Sequence, residues 1–410
     1  MAKILNFGSC NIDLVYTLDH ITSVGEVVTA KDFNTYPGGK GLNLSVSVAR
    51  AGGKVYHAGF VGSDGKEMLE VMERSGVDLS YAKTIDGSSG RAIIQVTLGA
   101  ENSIFTYPGA NHAFTKEYID EVLSYFDSDD ILITQNEINL IDYIIERAYE
   151  KGMCVMFSVA PANNSISHID LNKVTYLHLN DKDAKILTGT DDPEAAIMYL
   201  LRSHPQLKIL LTLNKNGCVY AEGSERIYHP AYKVNVVDVT GAGEVLGGYF
   251  ISAIARGEEP YSAVKIGSAA AALSISKAGT SPAIPTRAEV IRSFEILRPE
   301  RSDKESENRI NLITGYIETH ILDAKLEEIS ALLNYSTVYT SGLIKKLTGK
   351  TFSELLQDKR CAVSAKLLKE TDMPIDQIIY SVGYENESFF RKIFKDKYGE
   401  SPLKYRKNNR

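Results

Sequence analysis

The chain has 410 residues, with 45 Lys and Arg against 52 Asp and Glu, for a formal net charge of −7 at pH 7. That length exceeds one comfortable core and predicts two domains. No apolar run approaches ~20 residues, which argues against a transmembrane helix, and the four cysteines (Cys10, Cys154, Cys218, Cys361) lack disulfide-like or metal-like spacing.

The N-terminus, MAKILNFGSC, enters a strand-like run with no signal-peptide pattern, so a reduced, cytoplasmic setting is expected. Charge divides unevenly. Residues 1–300 carry 26 basic against 36 acidic side chains and residues 301–410 carry 19 against 16, that is −10 and +3, which sum to −7. If either part meets a polyanion, it is the tail.

Residues 3–8 (KILNFG) read as a buried strand, with Asn11 and Asp13 in the turn after it, where a ligand can reach them. Residues 37–43 (PGGKGLN) run into an apolar-periodic helix closed by glycine, and three glycines around a lysine let the backbone approach something closely. A strand over 55–62, a helix over 66–75 and a PGAN turn at 108–111 follow. From 130 to 291 strand-like runs (131–134, 154–160, 175–180, 207–213) alternate with helix-like ones (141–151, 182–188, 194–203, 243–256, 261–277). This predicts a parallel sheet covered on both faces. Such sheets bind ligands beyond the carboxyl ends of their strands. Asn11, Asp13, Glu137, Asn180 and the 238–244 turn all follow strand-like runs and are expected to converge there.

Residues 238–250 (DVTGAGEVLGGYF) organise the rest. An apolar run over 234–237 looks like a strand end, and a glycine turn then enters a helix. In that arrangement the unpartnered first-turn amides of Gly241, Ala242 and Gly243 face an anion. Glu244 stands at the mouth as a carboxylate able to take a proton from a hydroxyl. Taken alone, the same residues also describe an ordinary helix entry.

Residues 298–309 (RPERSDKESENR) carry eight charges and no large apolar side chain, and read as a linker between a domain over 1–297 and another over 310–410. The second is helical throughout: 310–321, 326–333, a turn at 335–337 with Ser336 as cap, 338–347, a long helix over 353–370, a short helix opened by Pro374, and 387–397. Two helix-turn-helix units joined by a long helix is the reading, against a plain helical dimerisation domain.

Over residues 1–297 the sequence resembles the ribokinase-like (PfkB) family of sugar kinases. GSCNID (8–13) resembles its first sugar-binding segment and PGGKGLNLSVSVARAGG (37–53) its double-glycine motif. Glu137 in TQNEI stands at its sugar-binding glutamate, and GAN (109–111), DVTGAGE (238–244) and GTSPAIP (279–285) also fit. The resemblance implies a doubly wound α/β sheet with a small β lid. It places sugar contacts at Asn11, Asp13, Gly38, Gly39, Lys40, Asn43 and Glu137, and nucleotide contacts at Asn180, Asp183, Thr212, Asn214 and Gly217.

Residues 308–408 resemble the AraC/XylS-type DNA-binding domain, with 326–356 matching its first helix-turn-helix and 376–406 its second. The resemblance implies that Thr337, Val338, Ser341 and Gly342 in one helix, and Glu387, Ser388, Arg391 and Lys392 in the other, face bases in successive major grooves. Lys345 and Lys346 are phosphate contacts, which give affinity without sequence information.

Every sugar-side position matches the family pattern, while three phosphoryl-side positions depart from it. Glu244 replaces the aspartate base, Asn180-Asp181-Lys182-Asp183 replaces Asn-x-x-Glu, and Asn214 replaces a glycine. About 1 Å of misplacement of a base can cost ~100-fold in rate, whereas binding a sugar needs none of these groups. The expectation is a cytoplasmic, homodimeric regulator that binds double-stranded DNA and responds to ribose, a related pentose or its phosphate, needing no metal or other cofactor for sensing. An active kinase that also regulates, using ATP and Mg2+ with Glu244 as base, is the alternative. An enzyme whose tail serves assembly is the third reading.

Overall fold

The computed structural model describes residues 2–97, 102–297, 303–333, 335 and 337–409. The chain divides into two compact units, Met1–Glu300 and Arg301–Arg410.

The first unit is built on thirteen strands: β1 (Lys3–Phe7), β2 (Asn11–Leu18), β3 (Asp32–Gly38), β4 (Lys54–Val61), β5 (Asp78–Thr84), β6 (Gly90–Thr97), β7 (Asn102–Tyr107), β8 (Ile131–Gln135), β9 (Cys154–Ser158), β10 (Tyr176–Asn180), β11 (Lys208–Thr212), β12 (Cys218–Glu222) and β13 (Glu225–His229). Nine form one sheet in the order β13-β12-β11-β10-β9-β8-β1-β4-β5. It is parallel from β11 through β5, and β12 and β13 add an antiparallel hairpin at one edge. The central strands are buried along most of their length because helices cover both faces; β8 (ILITQ) is buried at all five positions. One face packs on the helices Lys116–Leu123, Ile141–Glu150 and Pro193–Ser203, the other on Lys40–Arg50, Ala242–Ala255 and Pro260–Ile275.

The remaining four strands form a separate lid sheet in the order β3-β2-β6-β7. This corrects the placement of Asn11 and Asp13, which lie on β2 rather than in a turn. The register opposes Asn11 to Gly38 and Asp13 to Tyr36 on β3. Residues 234–237 are a second correction, since they form no strand. They have no neighbouring strand to pair with, and the Val237 and Asp238 amides bond instead to the Ile275 carbonyl at the end of the Pro260–Ile275 helix (2.8 and 3.2 Å).

The second unit is all helical: Asp303–Thr319, Leu326–Leu333, Thr337–Thr348, Phe352–Glu370, Ile375–Ser381, Glu387–Tyr398 and Pro402–Asn408. Residues 303–309, expected as linker, are the opening turns of its first helix; residues 298–302 lie outside the described residues, as does Ser336, the expected cap. The unit holds two small cores. One gathers Ile313, Ile317, Ile329, Ile344 and Phe352, the other Leu368, Ile378, Ile379, Val382, Phe390 and Phe394. The 19-residue Phe352–Glu370 helix, started by a reciprocal Thr351–Glu354 capping box, contributes to both. Among the described residues no helix is long and apolar enough to cross a membrane.

Candidate functional site

The carboxyl ends of β1, β8, β10 and β11, the lid, and the first turns of two packed helices meet in one place. The double-glycine turn is forced there by lack of room. A Cβ on Gly38 would fall on the Asp13 carboxylate, and one on Gly41 would fall on the backbone of Gly8 and Ser9. Gly39 has φ 97°, and a Cβ on it would lie 2.8 Å from the Asn11 amide nitrogen. The turn therefore drops the Lys40–Arg50 helix directly onto the end of β1.

The sugar-side residues converge as expected. Glu137, just past β8, accepts from the Ser9 hydroxyl (2.6 Å) and from the Lys40 amide (3.1 Å). Asn11 accepts from the Asn111 side chain (2.7 Å), whose own Oδ1 takes the Cys10 amide (2.9 Å). Asn11, Asp13 and Asn43 are buried, yet Asn43 Oδ1 has no hydrogen-bond partner. A buried polar atom without a partner costs free energy that a ligand hydroxyl would recover. Burial, and then Glu137, push the Asp13 carboxyl up to about 7, against the pull of Lys40.

Ser9 was not singled out from the sequence, nor was the layer beneath. There Asn6 donates to the Gly41 carbonyl and the Ser45 hydroxyl (both 2.8 Å), and His57 lies between Ser45 Oγ (2.9 Å) and Cys10 Sγ (3.4 Å). Burial holds His57 down at about 4. These are single polar residues inside apolar strands and helices, and no local pattern marks them.

On the opposite side lies a cavity of about 440 Å³. Asn180, Thr212, Asn214 and Gly217 line it, as do Gly241, Ala242, Gly243 and Glu244. Its apolar wall includes Val236 and Val239, 55% and 64% exposed. Asn180 caps the Asp181–Thr188 helix by accepting from the Asp183 amide (2.8 Å). Asn214 sits at φ 50°, the left-handed region a glycine would favour, and donates to Asp181 Oδ2 (2.8 Å). Asn214 is thus tied to the Asn180–Asp183 segment, a link that sequence spacing does not reveal.

Lys40 joins the two sides. Its Nζ donates to Glu244 Oε1 at 3.0 Å, with side-chain exposures of 27% and 9%. Burial alone would raise the Glu244 carboxyl, but Lys40 outweighs it and holds the group below the usual carboxylate range; Lys40 is raised in turn, chiefly by Glu244. Asp183 is buried, its Oδ1 takes the Ala162 amide (2.9 Å), and its Oδ2 is unpartnered. Among the described residues no group of three or more His, Cys, Asp or Glu is arranged to hold a metal by itself. The unpartnered Asp183 oxygen does fit magnesium carried in with phosphates, an ion that usually takes only one or two protein carboxylates.

In the second unit, the Thr337–Thr348 helix exposes Val338, Gly342 and Lys345, with Thr337 and Ser341 half-buried. The side chain of Lys346 lies outside the described residues. The Glu387–Tyr398 helix, capped by Asn386, exposes Ser388, Phe389, Arg391, Lys392 and Lys395, and Arg391 pairs with half-buried Glu387 at 3.2 Å. Phe389, 49% exposed and next in sequence to Ser388, was not anticipated from the sequence.

Set beside known proteins, residues 1–287 match the model of the pfkB family of carbohydrate kinases, and residues 329–408 match a helix-turn-helix domain of AraC/XylS type. The chain is 34% identical to the ribokinase of Bacillus subtilis (strain 168) over 295 residues, which is 71% of this chain and 98% of the relative. The solved ribokinase of Cryptococcus neoformans var. grubii serotype A in complex with ADP aligns with a TM-score of 0.66 and 28% identity, covering 71% of this chain and 99% of that one. Arabidopsis thaliana ribokinase complexed with ribose and ATP gives a TM-score of 0.62 and 25% identity, covering 71% and 98%.

Proposed function

We propose, for a chain that belongs to the pfkB family of carbohydrate kinases and ends in an AraC/XylS-type helix-turn-helix domain, that it is a sugar-responsive transcription regulator. The observation that carries this reading is the union of the two units in one polypeptide. A kinase has no use for two DNA-reading helices, whereas a regulator needs a sensor. The ligand is ribose or a related pentose, held by Asn11, Asp13, Gly39, Lys40, Asn43 and Glu137. The unpartnered Asn43 Oδ1 supports a hydroxyl-bearing ligand at that point. No metal or other cofactor is needed for sensing.

The protein acts in the cytoplasm as a homodimer. Exposed Phe33, Ile104, Phe105 and Tyr107 on the lid sheet support a second copy as their cover. Sugar alters DNA binding only if the two states of the protein differ in sugar affinity. Calorimetric titration with ribose and related pentoses, with ATP consumption assayed in the same samples, tests the sensor. DNA binding measured with and without the bound sugar tests the coupling. Sugar binding without phosphorylation, accompanied by a change in DNA affinity, is the expected result. Phosphorylation at ordinary kinase rates overturns it.

A second reading, an active kinase that also regulates, is favoured by the unpartnered Asp183 Oδ2, close enough to feel the charges of Lys40 and Glu244 on the wall of the 440 Å³ cavity. Magnesium bound there would neutralise nucleotide phosphates, and Glu244 would receive the hydroxyl proton. Turnover abolished by Glu244→Gln supports the kinase. A parent without turnover that gains it with Glu244→Asp supports the sensor.

A further inference from the structure

The family pattern has aspartate where this chain has Glu244, and the longer side chain does more than shift a carboxylate by one methylene. Glu244 lies in the first turn of the Ala242–Ala255 helix, just past the Gly241 turn, where an incoming phosphoryl group would meet the backbone amides. Its carboxylate is buried there and bonded to Lys40 at 3.0 Å. Lys40 is the cation standing between the sugar side and the cavity; Lys215, the other lysine on the cavity wall, is exposed on the short 3-10 turn Asn214–Asn216. Asn43, with an unpartnered Oδ1, closes the place from the sugar side, its amide nitrogen 3.8 Å from where a Cβ on Gly241 would stand.

We propose that Glu244 is the site's own anion: paired with Lys40 over the helix start, it holds the position a phosphate would take, so that the protein binds a neutral sugar and rejects its phosphate ester. This rests on the sugar-sensor reading and narrows it to the unphosphorylated ligand.

The surrounding charge points the same way. Asp13, Glu137, Asp183 and Glu244 all act on or beside Lys40, which sets four carboxylates against one ammonium. A neutral polyol meets hydrogen-bond acceptors there, as its hydroxyl donors require. A phosphate dianion would have to displace Glu244 from Lys40 and then sit beside the displaced carboxylate in a partly desolvated place, where like charges repel strongly. Aspartate at this position would end one methylene further from Lys40, so the 3.0 Å bond of this geometry is made by the longer glutamate side chain.

The test titrates the full chain, free of divalent metal, with ribose, ribose 5-phosphate and inorganic phosphate, as the parent and as Glu244→Gln. The amide keeps the shape and can still accept from Lys40, but carries no charge. The parent is expected to bind ribose 5-phosphate at least about 100-fold more weakly than ribose, and to show no saturable binding of inorganic phosphate at millimolar concentration. Glu244→Gln is expected to strengthen binding of both phosphates by about 30-fold. Parent binding of ribose 5-phosphate as tight as ribose overturns the proposal, as does a folded Glu244→Gln with unchanged phosphate affinity. If the variant does not fold, the parent's two phosphate titrations decide alone. The inorganic phosphate arm makes no use of the sugar, so a parent that binds no pentose would sink the sensor reading while leaving the role of Glu244 separately measured.

Discussion

Two glycines three positions apart in the same turn should fail in different ways when each is changed to alanine. At Gly41 the added methyl falls on the backbone of Gly8 and Ser9. The end of β1 must move, which loosens the bonds from the Gly41 amide to Ser9 Oγ (3.1 Å) and from the Leu42 amide to the Ser9 carbonyl (2.9 Å). Overpacking costs ~1–3 kcal/mol and each weakened bond about 1 kcal/mol, against a gain of about 1 kcal/mol in helix propensity. The net is a loss of about 3 kcal/mol, or roughly 6 °C in Tm for a domain of this size. At Gly38 the methyl falls on the Asp13 carboxylate, the free end of a side chain that can rotate away. Stability should then change by less than about 1 kcal/mol, while sugar binding loses a charge-assisted hydrogen bond of ~1.5–3 kcal/mol, or about 10- to 150-fold in Kd. Thermal melts and sugar titrations of both variants separate the cases. Equal losses of Tm, or undiminished sugar affinity in Gly38→Ala, would refute the assignment of Asp13 as a ligand group and the rigidity of the turn.

Asn214→Ala should destabilise by ~1–2 kcal/mol, because alanine at φ 50° is strained, while Asn214→Gly should be close to neutral; equal melting shifts would contradict this. His57, held down at about 4, stays neutral in the fold while the unfolded chain takes up a proton below 6.5. Its contribution is complete above pH 6.5 and is lost as pH falls toward 4, so between pH 7 and pH 5 the parent should lose about 2 kcal/mol relative to His57→Gln. Asp13 shifts in the opposite sense, so the parent-minus-variant difference in denaturant stability is the quantity to measure, and a flat difference would contradict the assignment. In the DNA unit, Phe389→Ala should weaken specific binding about fivefold where its ring meets a thymine methyl, and uracil in place of that thymine should do the same to the parent. Lys345→Ala should weaken all sequences alike and lower the salt slope by about 1. If uracil has no effect on the parent, Phe389 does not read the methyl.

The sheet is legible because its strands are mostly apolar runs separated by helices of ordinary length. The lid is legible only through the family resemblance: β3 and β7 are mostly exposed and carry mixed side chains, so neither the alternation of a half-buried strand nor the density of a core strand marks them. Asn11 and Asp13 read as a turn because short polar residues seldom mark a strand, yet both are buried on β2. The apolar run at 234–237 misleads in the other direction: Val234 and Val236 border the cavity and do not pair in a sheet. The residues that meet around Lys40 and Glu244 stand one by one in motifs with fixed spacing. The bond between Lys40 and Glu244 spans 204 positions, and that between Asn214 and Asp181 spans 33, so only the fold brings them together.

The Phe352–Glu370 helix also sets a phase. Its first turns, through Phe352, Leu355 and Leu356, belong to one core, and Ala365 and Leu368 near its end belong to the other. At 1.5 Å per residue its 19 residues span about 28 Å, close to the ~34 Å repeat of DNA. Midway along it, Arg360 donates to the Ile321 and Leu322 carbonyls (both 2.8 Å) and lies over the Tyr384 ring, so a residue inserted there would rotate one half against the other by about 100° and break this clamp. On the proposed regulator reading, two helices turned in this way could no longer enter successive grooves together, and the spacing of a two-part operator follows from the length of one helix, counted in single residues.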